Sequence, residues 1–212
     1  MRLLRLSDYK NVLPMISLSS DEIKEIVRNH KLRFINVKND VVEWNLRLPV
    51  FARPFYAYIY RKNNIPTQEE FYEYYVRCNL EYFKDNNFSD DILEGIKARA
   101  FRVMPSLLRD LCFNKYVYEN LPCSDVVYDI ILDIQEGIDL LIHKKNGIYA
   151  VCLYTNTKRA YEGRKAKENR HKQFDNVKYI EFPVTFTPSH SVGDYFLYGE
   201  EEYNNLLTRL DL

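Results

Sequence analysis

Apolar residues recur at helical spacing in four stretches of the chain. They predict helices from Asp21 to His30, from Thr67 to Asp85, from Ile92 to Tyr116 and from Glu200 to Leu210. Ser19 with Glu22, and Thr67 with Glu70, have the spacing of capping boxes, which favour helix starts at these two points. Pro105 lies inside the third helix, so we expect a kink or a break there.

The other apolar runs have the length of strands and fall into two groups. The first group predicts strands over residues 32–37, 41–48 and 55–60, with a hairpin between the first two. The second group predicts strands over residues 126–132, 138–142, 148–154 and 177–182. Lys144-Lys145-Asn146-Gly147 is typical of a hairpin turn, and a helix over residues 158–173 precedes the last strand. We therefore predict a mixed α/β lobe over residues 1–88 and an α/β core over residues 89–212.

The overall composition is that of a globular protein without net charge. The 212 residues include 30 Lys and Arg against 30 Asp and Glu, and 46% of all residues are hydrophobic. This balance excludes a basic field over the whole chain, so a nucleic-acid interface has to be local. The four cysteines have no CxxC spacing, and no apolar stretch is long enough for a membrane span. We expect a cytoplasmic protein that has no contact with a membrane.

Positive charge is concentrated in the predicted helix between the last two strands. Residues 157–172 hold seven basic side chains against Glu162 and Glu168. The basic residues are Lys158, Arg159, Arg164, Lys165, Lys167, Arg170 and Lys172. Because such a patch complements phosphates, it predicts binding to nucleic acid, with a solvated helix face as the alternative. Arg102 on the preceding long helix could join this interface, or it could form a salt bridge with acidic side chains.

One carboxylate stands at the start of a predicted apolar strand, in the segment Gly137-Ile138-Asp139-Leu140-Leu141. With this Asp139, the order helix, three-stranded meander, helix, strand over residues 90–184 resembles the core of the restriction-endonuclease-like superfamily, known by its motif PD-(D/E)XK. The resemblance implies a Mg²⁺ or Mn²⁺ site at Asp139, since hard oxygen ligands suit these ions. An Asp that accepts hydrogen bonds from turn amides at a strand entrance is the structural alternative.

The third predicted strand departs from this motif. Its sequence, Tyr149-Ala150-Val151-Cys152-Leu153-Tyr154, has no Asp or Glu where the resemblance implies a (D/E)xK triplet. A second carboxylate would then come from Glu136, Asp133 or Glu94, and the positive charge from Lys158. As catalytic residues we therefore expect Asp139, Glu136, Lys158 and Glu94, and as metal ligands Asp139, Glu136 and Asp133.

Three functions remain open from the sequence. The first is a metal-dependent endonuclease of the restriction or mobile-element type with a degenerate active site, acting on nucleic acid and on DNA in particular. The second is a non-catalytic nucleic-acid-binding or assembly protein with a nuclease-like fold. The third is a protein-interaction module that uses its Tyr-rich first lobe. For the first function the resemblance allows a homodimer or a larger assembly, because two strands need two sites.

Overall fold

A computed structural model describes residues 2–121, 125–158, 160–162 and 173–210 of the chain. The helices are α1 (Ser20–Arg28), α2 (Ala52–Lys62), α3 (Gln68–Cys78), α4 (Leu80–Asn86), α5 (Asp90–Asn120) and α6 (Glu200–Arg209). Residues 158 and 160–162 are helical as well. The strands are β1 (Asp125–Val127), β2 (Leu140–Lys144), β3 (Gly147–Thr155), β4 (Val177–Val184), β5 (Ser191–Val192) and β6 (Tyr195–Phe196).

Four of the strands form one mixed sheet in the order β1-β2-β3-β4. β1 and β2 pair antiparallel, β2 and β3 pair antiparallel, and β3 and β4 pair parallel. The two central strands are joined at Lys144 and Gly147, as the turn sequence predicted. A parallel neighbour requires a crossover connection, and residues 156–176 have the length for it. The predicted α/β class is therefore confirmed.

The core lies mainly between the sheet and α5. One buried cluster joins side chains of the sheet, such as Val151 and Phe182, with Leu108 of α5 and with Phe55 and Tyr75 of the N-terminal helices. A smaller cluster around Leu141 covers another part of the sheet, together with residues near the N-terminus. The main apolar core thus crosses the predicted boundary between residues 88 and 89.

The N-terminal part of the chain differs from the prediction. No strand occurs within residues 2–88, so the expected mixed α/β lobe is wrong and this part is helical. Residues 32–37 have no regular structure, Val41–Asn45 form a π-helical turn, and the aromatic run at 55–60 belongs to α2. Pro54 lies in the first turn of α2, where its missing N–H would have no partner inside the helix. The capping boxes at Ser19 and Thr67 are both present.

Two further elements of the core refine the prediction. The predicted long helix is present as α5, whose 31 residues include Pro105, so the helix is not broken there. β1 is only three residues long, and its predicted span ends at Leu132, the first residue of a π-helical turn, Leu132–Glu136. Gly137 ends that turn with a left-handed backbone (φ 66°), a conformation that a residue with a side chain adopts only with strain. This turn leads the chain directly to Asp139.

Candidate functional site

Asp139 lies at the entrance to β2 and is bonded twice to β3. Its N–H donates to the Val151 carbonyl (N to O 3.0 Å), and its Oδ2 accepts from the Leu153 N–H (2.7 Å). The side chain therefore does accept a backbone amide, which was the structural alternative for this residue. That amide belongs to the neighbouring strand rather than to a turn, so it fixes the carboxylate against the sheet.

Asp110 is a second carboxylate beside the sheet, and the sequence interpretation missed it. It lies on α5, and burial raises its pKa from an ordinary 3.8 to about 7, while Arg109 lowers it and Asp133 raises it further. A carboxyl group that is removed from water and lies near another acid favours its protonated form. A cation at this position would reverse that preference, because it stabilises the ionised form.

Asn114 joins α5 to the start of β2. It follows Asp110 by four residues, so both side chains lie on one face of the helix. Its Nδ2 donates to the Asp139 carbonyl (3.1 Å). Its Oδ1 is buried and has no hydrogen-bond partner within the described residues. An unsatisfied buried carbonyl is costly, so this oxygen suits a water molecule or a cation.

Asp133 reaches the same region through two tyrosines. The Tyr128 hydroxyl donates to Asp133 Oδ2 (2.8 Å), and the Tyr56 ring packs on the Tyr128 ring with centroids 4.8 Å apart. Burial raises the pKa of both tyrosines, and Asp133, Asp110 and Asp139 all raise that of Tyr56 further. All three carboxylates therefore lie close enough to one buried phenol to influence its charge. We call Asp110, Asp133 and Asp139 the aspartate cluster.

Arg109 is a cation beside this cluster. Its guanidinium carbon lies 4.4 Å from the Phe186 ring centroid and 5.4 Å from that of Tyr198, and its Nε donates to the Phe196 carbonyl (3.2 Å). Burial raises the pKa of Tyr198 to about 12, Asp110 and Asp139 raise it as well, and Arg109 lowers it. The aspartate cluster thus borders a positive charge that aromatic rings hold in place.

The other predicted carboxylates lie elsewhere. Glu136 forms an ion pair with Arg2, whose Nη1 donates to Glu136 Oε2 (2.8 Å). Glu94 is in the first turns of α5, about 24 Å along the helix axis from Asp110. The structure therefore places Asp133 and Asp139 near the same tyrosine, Tyr56, but Glu94 lies far along α5 and Glu136 pairs with the N-terminal segment.

The predicted cationic residues are placed only in part. The Lys158 side chain is 91% exposed and lies 3.9 Å from the carboxylate of Glu162. Arg102 forms an ion pair with Glu43 and donates to the Val37 carbonyl (2.9 Å), so it holds the 37–45 segment against α5. The remaining predicted nucleic-acid contacts lie outside the described residues; they are Arg159, Arg164, Lys165, Lys167, Arg170 and Lys172.

A different group of side chains has the closest spacing of potential metal ligands. Ligand atoms of His190, Glu201 and Glu202 all lie within 4.8 Å of one another, which no such group in the described ranges that includes Asp110, Asp133 or Asp139 achieves. However, the Thr187 N–H donates to His190 Nδ1 (2.9 Å), so Nε2 carries the proton and donates to Glu202 Oε1 (2.6 Å). Glu202 Oε2 also accepts from the Gly199 N–H (2.8 Å). These groups have structural partners, and we interpret the trio as a structural clasp.

The aspartate cluster and Asn114 offer oxygen ligands only. Carboxylates and amide oxygens are the ligands that hard divalent ions take, and Asp110, Asp139 and the Oδ1 of Asn114 carry them. Within the described residues, the three carboxylates are not gathered within 4.8 Å of one another.

The comparisons with known proteins add no assignment. No family model, no curated protein and no solved structure matches the chain. Among the described helices, none has both the length and the apolar composition needed to cross a membrane.

Proposed function

We propose that the protein is a metal-dependent endonuclease acting on nucleic acid, and on DNA in particular, with a restriction-endonuclease-like core and a rearranged active site. The observation that carries this proposal is the hydrogen bond from Asn114 Nδ2 to the Asp139 carbonyl (3.1 Å), which brings the entrance to β2 against the part of α5 that also carries the half-buried Asp110. Strand order and direction in the sheet, with β3 and β4 parallel and the other pairs antiparallel, support the same core. Because fold alone does not confer activity, the proposed function requires the side chains of this site.

In this proposal α5 supplies the second carboxylate that β3 lacks. Asp139 and Asp110 would hold Mg²⁺ or Mn²⁺, with the Oδ1 of Asn114 as a neutral ligand. Asp133 accepts the Tyr128 hydroxyl in the same region. A bound divalent ion would lower the pKa of a water molecule and offset charge on the phosphate.

Arg109 takes the role that the sequence interpretation gave to Lys158. Its guanidinium is already ordered by Phe186 and Tyr198 and lies beside Asp110. A positive charge that is fixed before the reaction stabilises charge that develops on a phosphate oxygen. The Lys158 ammonium, by contrast, is exposed and lies 3.9 Å from the Glu162 carboxylate.

The direct test is a cleavage assay on several DNA and RNA forms with Mg²⁺ or Mn²⁺. We expect metal-dependent cleavage, and a loss of at least 100-fold in Asp139→Ala. The matched control is Asp125→Ala, which changes an exposed aspartate on β1 of the same sheet. Cleavage that persists in Asp139→Ala, or no cleavage of any substrate, would contradict the proposal.

A non-catalytic nucleic-acid-binding or assembly protein is the second candidate. It is favoured by β3, which offers Asp139 the Leu153 amide in place of a carboxylate. This function predicts salt-dependent binding without cleavage, and weaker binding in Arg164→Ala or Lys165→Ala. By contrast, the Tyr-rich stripe of α3 gives no support to the third function, because Phe71, Tyr74 and Tyr75 are buried.

A further inference from the structure

A cleft of about 550 Å³ opens beside the aspartate cluster. Its walls are the 46–52 segment, the part of α5 from Arg99 to Leu107, and the second π-helical turn, Leu132–Glu136. Asp133 and Ile134 of that turn line the cleft. The lining is largely aliphatic, with Leu46, Leu48, Val103 and Leu107 all partly exposed. A cleft of this size matches those that hold small molecules or single residues of a polymer.

One acidic and two basic side chains line the cleft. Asp133 lines it and is also a member of the aspartate cluster. Arg47 and Arg99 line it as well; the Arg99 Nη1 donates to the Val42 carbonyl, whereas the exposed Arg47 has no ion-pair partner in the part of the chain that is described. The cleft therefore combines aliphatic walls with two guanidinium groups, and it shares one carboxylate with the proposed metal site.

We propose that this cleft receives an unpaired nucleotide of the substrate strand. A nucleobase offers two apolar faces to the aliphatic walls, and the phosphate attached to its sugar is an anion that Arg47 and Arg99 can bind. A base that is stacked and paired in a duplex enters a cleft only after it has been unstacked, which costs a few kcal/mol, so an already unpaired nucleotide is favoured. The substrate class is therefore nucleic acid with unpaired nucleotides beside the cleaved bond.

This inference rests on the proposed function, because that function identifies the neighbouring carboxylates as metal ligands. Its test, however, is a binding measurement. Labelled single strands of about 12 nucleotides, a length in the range of single-strand binding sites, are compared with the same sequence as a blunt duplex, in EDTA. We expect the single strand to bind at least 10-fold more tightly. Equal affinity for the two forms, or a preference for the duplex, would overturn the inference.

Variants of the cleft provide the second part of the test. Val103→Phe fills the cleft from α5. Ile134→Trp fills it from a half-exposed position, where a larger side chain is tolerated, and is the second variant in case Val103→Phe does not fold. Each variant, and Arg47→Ala, should weaken single-strand binding by at least 5-fold. Lys62→Ala, an exposed basic residue at the end of α2, is the matched control and should bind like the wild type. Unchanged binding in folded Ile134→Trp would refute the cleft as the site.

Failure of the inference and failure of the proposed function give different results. If Asp139→Ala abolishes cleavage while the cleft variants bind and cleave normally, the function stands and the cleft has no role in substrate binding. If the cleft variants lose single-strand binding and the wild type cleaves nothing, the cleft is a nucleotide site and the endonuclease proposal is wrong.

Discussion

The Asp139 carboxylate accepts the backbone N–H of Leu153 on the neighbouring strand, with Oδ2 2.7 Å from the nitrogen. This bond assigns β3 a supporting role, because the strand orients the carboxylate through its main chain and contributes no acidic side chain. The position of Asp139 is thus independent of which side chain occupies residue 153. An aspartate at residue 139 is therefore compatible with a neighbouring strand that has no acidic side chain.

Replacing Asp139 separates its structural role from its proposed chemical one. Asp139→Asn keeps an oxygen for the Leu153 amide, so we expect its free energy of unfolding to stay within about 1 kcal/mol of the wild type. Asp139→Ala leaves that amide without its partner and should cost about 1–3 kcal/mol. Both variants should lose metal-dependent cleavage. Denaturant unfolding and the cleavage assay measure the two effects, and an active Asp139→Asn would contradict a ligand role.

Asp110 should make the protein less stable as the pH rises. The folded chain keeps the Asp110 proton up to about pH 7, whereas the unfolded chain releases it near its ordinary pKa of 3.8. The free energy of unfolding therefore falls between these two pH values and stays low above them. Asp110→Asn removes this penalty, so the variant should exceed the wild type by about 2–4 kcal/mol at pH 8 and match it near pH 4. Parallel stability curves for the two proteins would refute the assignment.

A divalent ion should offset the same penalty. At a concentration about 100 times its Kd, Mg²⁺ or Mn²⁺ stabilises the fold by about 2.7 kcal/mol, which corresponds to roughly 5–10 °C in Tm. We expect this shift at pH 8 and a smaller one at pH 5, where Asp110 is protonated. Thermal melts with and without metal measure it, with Asp139→Asn as the variant that should not respond. A shift that is independent of pH would argue against Asp110 as a ligand.

Two acidic residues on α5 provide an internal comparison. Glu94 and Asp110 lie on one helix about 24 Å apart, and only Asp110 is near Asp139. We expect Asp110→Asn to reduce cleavage at least 100-fold and Glu94→Gln to leave it within about 2-fold. The reverse result would restore Glu94 as the helix carboxylate and would mean that the packing of α5 on the sheet is different.

The trio of His190, Glu201 and Glu202 should behave as a structural clasp. Glu202→Ala leaves the buried His190 Nε2 and the Gly199 amide without their acceptor, and we expect a loss of about 2–4 kcal/mol. Glu201→Ala changes an exposed side chain and should cost less than about 0.5 kcal/mol. Zn²⁺ should stabilise neither the wild type nor the variants through this trio. A zinc-dependent rise in Tm that Glu202→Ala removes would show a metal site instead.

Where several local signals in the sequence agree, they predicted the element correctly. The capping boxes at Ser19 and Thr67 and the turn at residues 144–147 all formed as expected. Where the signals conflicted, the prediction failed. The aromatic run at 55–60 favours a strand by residue preference alone, but its side chains fill a helical face of α2, and Pro54 fits that helix's first turn. The packing of this run against α3 favours the helix over the strand.

The candidate site was predictable only in part. Asp139 could be identified because a carboxylate beside apolar strand residues requires a reason. Asp110 carried a comparable signal, since it interrupts the apolar run around Leu108 and Leu111 and has Asn114 one turn later. Its proximity to Asp139 is tertiary, however, and no local rule shows which turn of a 31-residue helix faces the entrance to β2. The resemblance implies an acidic residue on this helix and so favours Glu94, but Glu94 lies about 24 Å along α5 from Asp110.

Helix α5 contacts both the N-terminal part of the chain and the sheet. Its first half holds the 37–45 segment through Arg99 and Arg102, and its second half presents Asp110 and Asn114 to the sheet. A cut between residues 88 and 89 would leave the N-terminal helices without the surface that buries Phe55 and Tyr75. The residues on the two sides of this boundary therefore have to be inherited, expressed and transferred between proteins together.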